Sequence, residues 1–269
     1  MSFSALHRKQ SLIDVVVKND HMLIMFLMLE AYMQGCDASI LLNDTDTIVS
    51  EQNATPNNNS IRGLDVVNQI KTAVENVCPG IVSCADILAL IFLHLLLKYP
   101  LLWYVPTNKV PLGRRDSLIA NIELVDHNIP SPSFDFTQLK SSFAVQGLNT
   151  TELVTLAGAH TFGRVHCSVL VKPLYNFSGT GNPDPTLNTA YLQILRAICP
   201  NGGPRTNLTS FDPTTPDTFD NNYYSNLQVH KGLLHSDQVL FSTTGANSVD
   251  IVNRFVTQLF SLRDLRLQC

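Results

Sequence analysis

One histidine stands among residues too small to block a large, flat partner. Residues 156–163 read LAGAHTFG, which places His160 between alanine, glycine and threonine. An imidazole in such surroundings can ligate a metal or a cofactor, or it can lie in a core with its hydrogen bonds satisfied. The core position is the more frequent of the two, so ligation by His160 needs support from elsewhere in the chain.

The segment before His160 is predicted to be a helix that leads it to the core. Asn149 is a good N-cap, and Glu152 three residues later completes a capping box. Apolar residues at 153, 154, 156 and 157 then form one face that ends at Gly158. The remaining segments also favour helices, because no sustained alternation indicates a large sheet.

Composition bounds the class of protein. With 269 residues, 45% hydrophobic and 15% charged, the chain can bury one large core or two lobes that share one. The net charge of -4 and the lack of a basic stripe count against nucleic-acid binding. A small-molecule substrate is the better expectation.

An apolar run at 91–109 is interrupted by Lys98 and Pro100, so it predicts a buried helix or an insert, not a membrane span.

Six further segments accompany residues 156–163 in a fixed order. They are QGCDASILL (34–42), PNNNS (56–60), VSCADIL (82–88), VPLGRRDS (110–117), FDNNYY (219–224) and KGLLHSD (231–237). Over residues 34–90 and 110–255 the chain resembles the plant secretory (class III) peroxidases. The resemblance implies one mainly helical, two-lobed domain over residues 1–269, with haem b between distal and proximal sides. Residues 1–33, 91–109 and 256–265 depart from the family pattern.

The same resemblance implies the activity and the residues on the proximal side of the haem. The family oxidises phenolic and aromatic donors with hydrogen peroxide, in response to oxidative stress, and a monomer is expected. His160 would be the axial ligand, with Asp237 accepting a hydrogen bond from its other ring nitrogen and Pro130 at the donor-binding rim. From the residues alone, Asp237 after Gly232 would be a solvated turn residue.

The distal side departs from the family. Positions that normally hold an arginine and a histidine are occupied by Met25 and Leu29. Neither side chain can move a proton or stabilise developing charge. Glu51 and Asn57 match the outer hydrogen-bond chain to the missing histidine. We therefore expect impaired activity; the alternatives are an inactive haem-binding protein or a non-functional splice or gene-model product. A zinc hydrolase using His160, His166 and Cys167 lacks the usual ligand spacing.

Two calcium sites are implied by the resemblance. The proximal set is complete and consists of Thr161, Asp212, Thr215, Thr218 and Asp220. The distal set consists of Glu30, Met33, Gly35, Asp37 and Ser39, in which Glu30 replaces an aspartate and Met33 replaces a carbonyl donor. A longer carboxylate must reach the ion differently, which counts against the distal site. Without the resemblance, the proximal residues would predict a capped turn.

Six cysteines leave disulfides, a metal site or buried thiols open. The resemblance implies the bridges Cys84–Cys269 and Cys167–Cys199, which leaves Cys36 and Cys78 as free thiols unless they pair with each other. Six Asn-x-Ser/Thr sequons and the family favour a secreted, extracellular glycoprotein. The N-terminal residues, in contrast, do not resemble a signal peptide. The sequons begin at Asn43, Asn53, Asn58, Asn149, Asn176 and Asn207.

Overall fold

The computed structural model describes residues 37–98 and 111–257, and this part of the chain is mainly helical, as the sequence predicts. The described residues fall into two compact units that divide between Ile129 and Pro130. The first unit contains the helices α1 (Leu64–Val77), α2 (Cys84–Lys98) and α3 (Ile122–Asn128), with 3-10 turns at Ser39–Leu41 and Glu51–Asn53.

The second unit contains seven helices and two short strands. The helices are α4 (Phe136–Val145), α5 (Thr150–Ala157), α6 (Cys167–Tyr175), α7 (Thr189–Ile198), α8 (Asn222–Gln228), α9 (His235–Ser242) and α10 (Ser248–Thr257). The strands are β1 (Arg164–His166) and β2 (Leu208–Ser210), and 3-10 turns occur at Gly158–Thr161 and Phe177–Gly179.

In the first unit, α1 packs against α2. The buried residues of α1 recur at helical spacing, as expected for a helix with one face in the core: Val66, Val67, Ile70 and Val74. The start of α2 is capped by a residue far away in sequence. The Asp116 carboxylate accepts the backbone N–H groups of Cys84 at 3.0 Å and Ala85 at 2.9 Å. The helical part of the apolar run extends to Lys98, and residues 99–110 lie outside the described residues.

In the second unit, α10 packs against α5, α8 and α9. Its apolar face buries Val252 and Phe255, and Phe255 contacts the fully buried ring of Tyr224 on α8 at a centroid distance of 5.2 Å. Within the described part of the chain, no helix is both long and apolar enough to cross a membrane.

The two strands form an antiparallel ribbon, and a disulfide begins at the residue after β1. Arg164 pairs with Ser210 and His166 with Leu208. The bridge Cys167–Cys199, which the resemblance implies, joins the first residue of α6 to the residue after α7. Because the Cys167 sulfur is in a disulfide, it offers no thiolate, and the zinc alternative loses one of its three ligands.

The other implied bridge stays a prediction. Neither Cys78 nor Cys84 is bridged to a cysteine among the described residues. Cys36 and Cys269, the other two members of the implied scheme, lie outside the described residues.

Candidate functional site

His160 is positioned by the helix that precedes it. The Asn149 Oδ1 atom accepts the N–H groups of Thr151 at 2.8 Å and Glu152 at 3.2 Å, and Glu152 Oε2 accepts the Asn149 N–H at 2.7 Å. The predicted capping box is therefore confirmed. Helix α5 ends at Ala157, and His160 follows in the 3-10 turn Gly158–Thr161.

Gly158 lets a neighbouring helix approach this turn. A Cβ atom on Gly158 would overlap the hydroxyl of Tyr224 and would lie 2.9 Å from its Cζ atom. The same hydroxyl donates to the Val154 carbonyl at 3.1 Å, near the end of α5. The glycine is thus required by close packing, since its φ of -58° suits any residue.

The His160 ring is held by a buried carboxylate. His160 Nδ1 lies 2.8 Å from Asp237 Oδ1, and the two side chains are 26% and 3% exposed. A carboxylate oxygen only accepts hydrogen bonds, so Nδ1 carries the hydrogen, and in the neutral ring Nε2 then presents its lone pair. Within residues 37–98 and 111–257, Nε2 has no hydrogen-bond partner. A ring in this state suits ligation of a metal through Nε2.

Asp237 lies in the first turn of α9 and is not the solvated turn residue that its sequence neighbours favour. Its Oδ1 atom also accepts the Tyr223 hydroxyl at 3.0 Å, and Oδ2 accepts the Leu234 N–H at 3.1 Å. Burial raises the pKa of Tyr223 well above its ordinary value, and the charge of Asp237 raises it further. Tyr223 therefore keeps its proton and acts as a donor.

Phe211 fixes one face of the His160 ring. The two rings stack in parallel, with centroids 4.1 Å apart and an interplanar angle of 6°. The ribbon places Phe211, since it directly follows β2 and its N–H donates to the Gly163 carbonyl at 3.2 Å, just before β1. A ring held by Asp237 and Phe211 cannot rotate freely, so its Nε2 atom keeps one direction.

The proximal calcium residues are brought together, with carboxylates and hydroxyls in direct contact. Asp220 accepts hydrogen bonds from Thr215 Oγ1 at 2.7 Å and from Thr161 Oγ1 at 3.3 Å. Thr215 Oγ1 is also 3.5 Å from Asp212 Oδ2. Thr218 joins through its backbone N–H, which donates to the Thr215 carbonyl at 3.1 Å.

The chemistry of this donor set fits calcium. Burial raises the pKa of Asp212, and the neighbouring charge of Asp220 raises it further against opposing hydrogen bonds. Two crowded carboxylates with hydroxyls beside them are oxygen ligands that a divalent cation would stabilise. The described residues contain no group of three or more histidine, cysteine or acidic side chains placed to hold a metal. The set therefore depends on threonine oxygens as well as on carboxylates.

The first unit holds the remaining described residues of the distal prediction. Glu51 Oε2 accepts the Ser39 hydroxyl at 2.9 Å, and Glu51 Oε1 accepts the Asn121 N–H at 2.9 Å. The Ser39 N–H donates to Asp37 Oδ1 at 3.2 Å. Asn57 is 2% exposed; its Nδ2 donates to the Glu51 carbonyl at 2.8 Å, but its buried Oδ1 has no partner among the described residues.

The other distal residues, Met25, Leu29, Glu30, Met33 and Gly35, lie outside the described residues. Their predicted roles therefore stay predictions. Pro130 is half-buried in the segment between α3 and α4, and its role in donor binding also stays a prediction.

Three features of the second unit could not be predicted from the sequence. Tyr223 and Phe211 contact the Asp237 and His160 side chains but carry no local signal of doing so. A second buried pair joins His235 Nδ1 to Asp184 Oδ2 at 2.7 Å. The FDNNYY segment pointed to Tyr223 only as part of a motif, and nothing in the chain near Asp184 predicts its partner.

Comparison with known proteins agrees with the family resemblance of the sequence motifs. A family model described as peroxidase matches residues 11–258. The chain is 55% identical over 227 residues to Peroxidase 15 of Ipomoea batatas, which covers 84% of this chain and 68% of that protein. It is 51% identical over 228 residues to Peroxidase 54 of Arabidopsis thaliana, with 85% and 63% covered. It is 48% identical over 231 residues to Peroxidase 22 of the same plant, with 86% and 65% covered. The chain thus spans about two thirds of the length of these relatives.

Proposed function

Because the chain belongs to the peroxidase family, we propose that it is a haem peroxidase that oxidises phenolic or aromatic donors with hydrogen peroxide. The observation that carries the proposal is the His160–Asp237 pair, in which one ring nitrogen is bonded to a buried carboxylate and the other is without a partner among the described residues. His160 is the residue that would ligate the haem iron.

The proximal residues would set the electronic character of that ligand. Haem, when bound, would supply the redox centre that reduces hydrogen peroxide and oxidises the donors. Asp237 keeps the hydrogen on Nδ1 and makes the imidazole a stronger electron donor. Phe211 limits rotation of the ring. Together these residues hold and tune the ligand, and they do not themselves transfer protons to peroxide.

Proton transfer is the step for which this chain is poorly equipped. Met25 and Leu29 offer neither a base nor a positive charge, and the loss of one positioned acid or base costs about 10²–10⁴ in rate. We therefore expect weak turnover compared with the relatives. The second candidate is a haem-binding protein without activity, or a product without function. The Oδ1 atom of Asn57, which has no partner among the described residues, supports this expectation, because Asn57 matches the family residue that supports the distal histidine.

An absorbance titration tests ligation before turnover. Refolded protein is titrated with haemin in the presence of calcium, and wild type is compared with His160→Ala and with the control His127→Ala. His127 is an exposed residue of α3, so the control should keep the specific Soret band that His160→Ala loses. An equal band in all three proteins, or none in wild type, would contradict ligation by His160. Peroxide turnover of the loaded wild type then measures the distal loss.

The calcium, compartment and assembly expectations belong to the same proposal. The proximal set supports binding of one calcium ion, and a monomer is expected. All six sequon asparagines are exposed, which supports a secreted glycoprotein. Expression in plant cells followed by removal of N-glycans should lower the apparent mass; unchanged mobility together with intracellular retention would contradict this part.

A further inference from the structure

Two donors share one oxygen of the carboxylate behind His160. Asp237 Oδ1 accepts His160 Nδ1 at 2.8 Å and the Tyr223 hydroxyl at 3.0 Å. The other oxygen, Oδ2, accepts the Leu234 N–H at 3.1 Å, and neither His160 nor Tyr223 donates to it. Tyr223 and the Asp237 side chain are each 3% exposed, so water does not screen this arrangement.

Sharing weakens each bond. Every donor withdraws negative charge from the oxygen that it contacts, and the effect is larger in a buried site because the effective dielectric constant is low. Removing one donor therefore leaves more charge for the other. In this site, the Tyr223 hydroxyl reduces the charge that Asp237 can direct to the His160 ring.

The Tyr223 hydroxyl is held in place by its own packing. The Tyr223 ring lies edge-on to His160, at a centroid distance of 6.3 Å and an angle of 76°. It also packs edge-on against the Tyr224 ring at a centroid distance of 5.1 Å, a contact that a phenylalanine at position 224 would keep. The hydroxyl is therefore a fixed donor to Asp237, independent of rearrangement at the surface.

We propose that Tyr223 is a positioning residue that weakens the hydrogen bond from His160 to Asp237 and so limits how strongly His160 donates electrons to a bound metal. The inference rests on the proposed function for its consequence, since electron donation matters only when His160 ligates haem iron. The hydrogen-bond competition itself is a property of the polypeptide, and it is measurable without haem.

The test uses a matched pair of variants, each of which loses one buried hydroxyl. Tyr223→Phe removes the hydroxyl that donates to Asp237. Tyr224→Phe, at the next position in the chain, removes a hydroxyl that donates to the Val154 carbonyl instead. In the haem-free protein, the proton on His160 Nδ1 is observed by NMR. It should move downfield in Tyr223→Phe, because its hydrogen bond strengthens, and it should stay close to the wild-type position in Tyr224→Phe.

The haem-loaded proteins give a second readout. Tyr223→Phe should lower the reduction potential of the iron and raise the iron–histidine stretching frequency, while Tyr224→Phe leaves both near wild type. Site-specific 3-fluorotyrosine at position 223, a stronger donor, should shift both quantities in the opposite sense. A purely structural role of Tyr223 does not produce this reversal of sign.

The outcomes separate the inference from the proposed function. An unchanged proton position in Tyr223→Phe, or equal shifts in both phenylalanine variants, overturns the inference even when haem binds. A downfield shift in Tyr223→Phe alone supports the shared acceptor. If wild type then fails to bind haem, the proposed function fails while the hydrogen-bond competition stands.

Discussion

The His160 cluster and the Glu51 cluster differ in how completely their polar groups are paired. In the second unit, both oxygens of Asp237 have donors, and His160 Nδ1 has its acceptor. In the first unit, both oxygens of Glu51 have donors, but the chain of contacts ends at the buried Oδ1 of Asn57. Within the described residues, the His160 cluster leaves Nε2, an atom suited to metal ligation, without a partner, whereas the Glu51 cluster leaves a buried amide oxygen without one.

The difference points to the first unit as the place to test for impaired activity. A buried acceptor without a partner costs about 1–3 kcal/mol, so such a group is usually retained only where a donor or water completes it. The family residue that Asn57 would support is a histidine, and this chain has Leu29 at that position. A leucine side chain donates no hydrogen bond. We therefore predict that the proximal set in the second unit is intact and that the distal set lacks the histidine that would transfer protons.

The largest expected effect comes from restoring a histidine at position 29. In the haem-loaded protein, Leu29→His should raise peroxide turnover by about 10²-fold or more, because it supplies a base. Leu29→Phe, which adds a ring without a base, is the control. Combining Leu29→His with Asn57→Leu should forfeit about tenfold of the gain, since the new imidazole then lacks support. A gain of equal size with phenylalanine would show that volume, not proton transfer, limits the chain.

The packing next to His160 can be disturbed at Gly158. Gly158→Ala should lower the free energy of unfolding by about 3 kcal/mol, because the added Cβ overlaps the Tyr224 hydroxyl. Gly147→Ala is the control: nothing lies within 4 Å of the added Cβ, and its positive φ of 74° alone should cost about 1 kcal/mol. Denaturant unfolding measures both. Equal losses would mean that the contact with Tyr224 is easily relieved.

An effect of intermediate size is expected from calcium, which should bind to the second unit and not to the first. We expect one bound ion per chain, with chelation lowering the melting temperature by about 5–10 °C. Asp220→Asn should abolish both the ion and the response to chelator, whereas Asp37→Asn should change neither. Metal content after gel filtration and thermal unfolding give the result. Two ions per wild-type chain would contradict the expected loss of the distal site.

The second histidine–aspartate pair provides the smallest effect. Burial alone would raise the pKa of Asp184, but hydrogen bonds from His235 and Thr186 outweigh it and hold the pKa below its ordinary value. A carboxyl group with a lowered folded-state pKa contributes stability above pH about 4 and loses it as the pH falls through that folded value. Asp184→Asn should cost about 1–2 kcal/mol at pH 6 and less at pH 3.

Urea unfolding at the two pH values, with the exposed Asp46→Asn as control, measures this dependence. A loss in Asp184→Asn that stays constant with pH would mean that the charge of Asp184 contributes nothing to stability. Because the pair lies outside the contacts of Asp237, haem binding by this variant should be unchanged.

Local signals predicted the start of α5 but not the contacts that complete the site. The Asn149–Glu152 capping box spans four residues, so periodicity and residue type were sufficient to predict it. His160 and Asp237 are 77 residues apart, and only the family resemblance related them. Strands β1 and β2 have three residues each, too few to produce a visible alternation, so the ribbon that places Phe211 was not predicted.

The sequence also does not predict that His160 and Tyr223 share the Asp237 carboxylate as an acceptor. Tyr223 and Asp237 lie on neighbouring helices, and a tyrosine in the first turn of α8 could equally have pointed to solvent or to the core. His235 and Asp184 are 51 residues apart, and the KGLLHSD segment that contains His235 does not indicate Asp184 as its partner. Packing of separate helices decides such contacts, and packing is not encoded in any short segment.

The fit between Gly158 and Tyr224 restricts the order in which this protein can accept mutations. A larger residue at 158 is harmful while the tyrosine is present, and loss of the Tyr224 hydroxyl leaves the Val154 carbonyl without that donor. Lineages that have changed residue 158 should therefore carry an earlier change at residue 224. Two positions 66 apart in sequence thus share one evolutionary constraint.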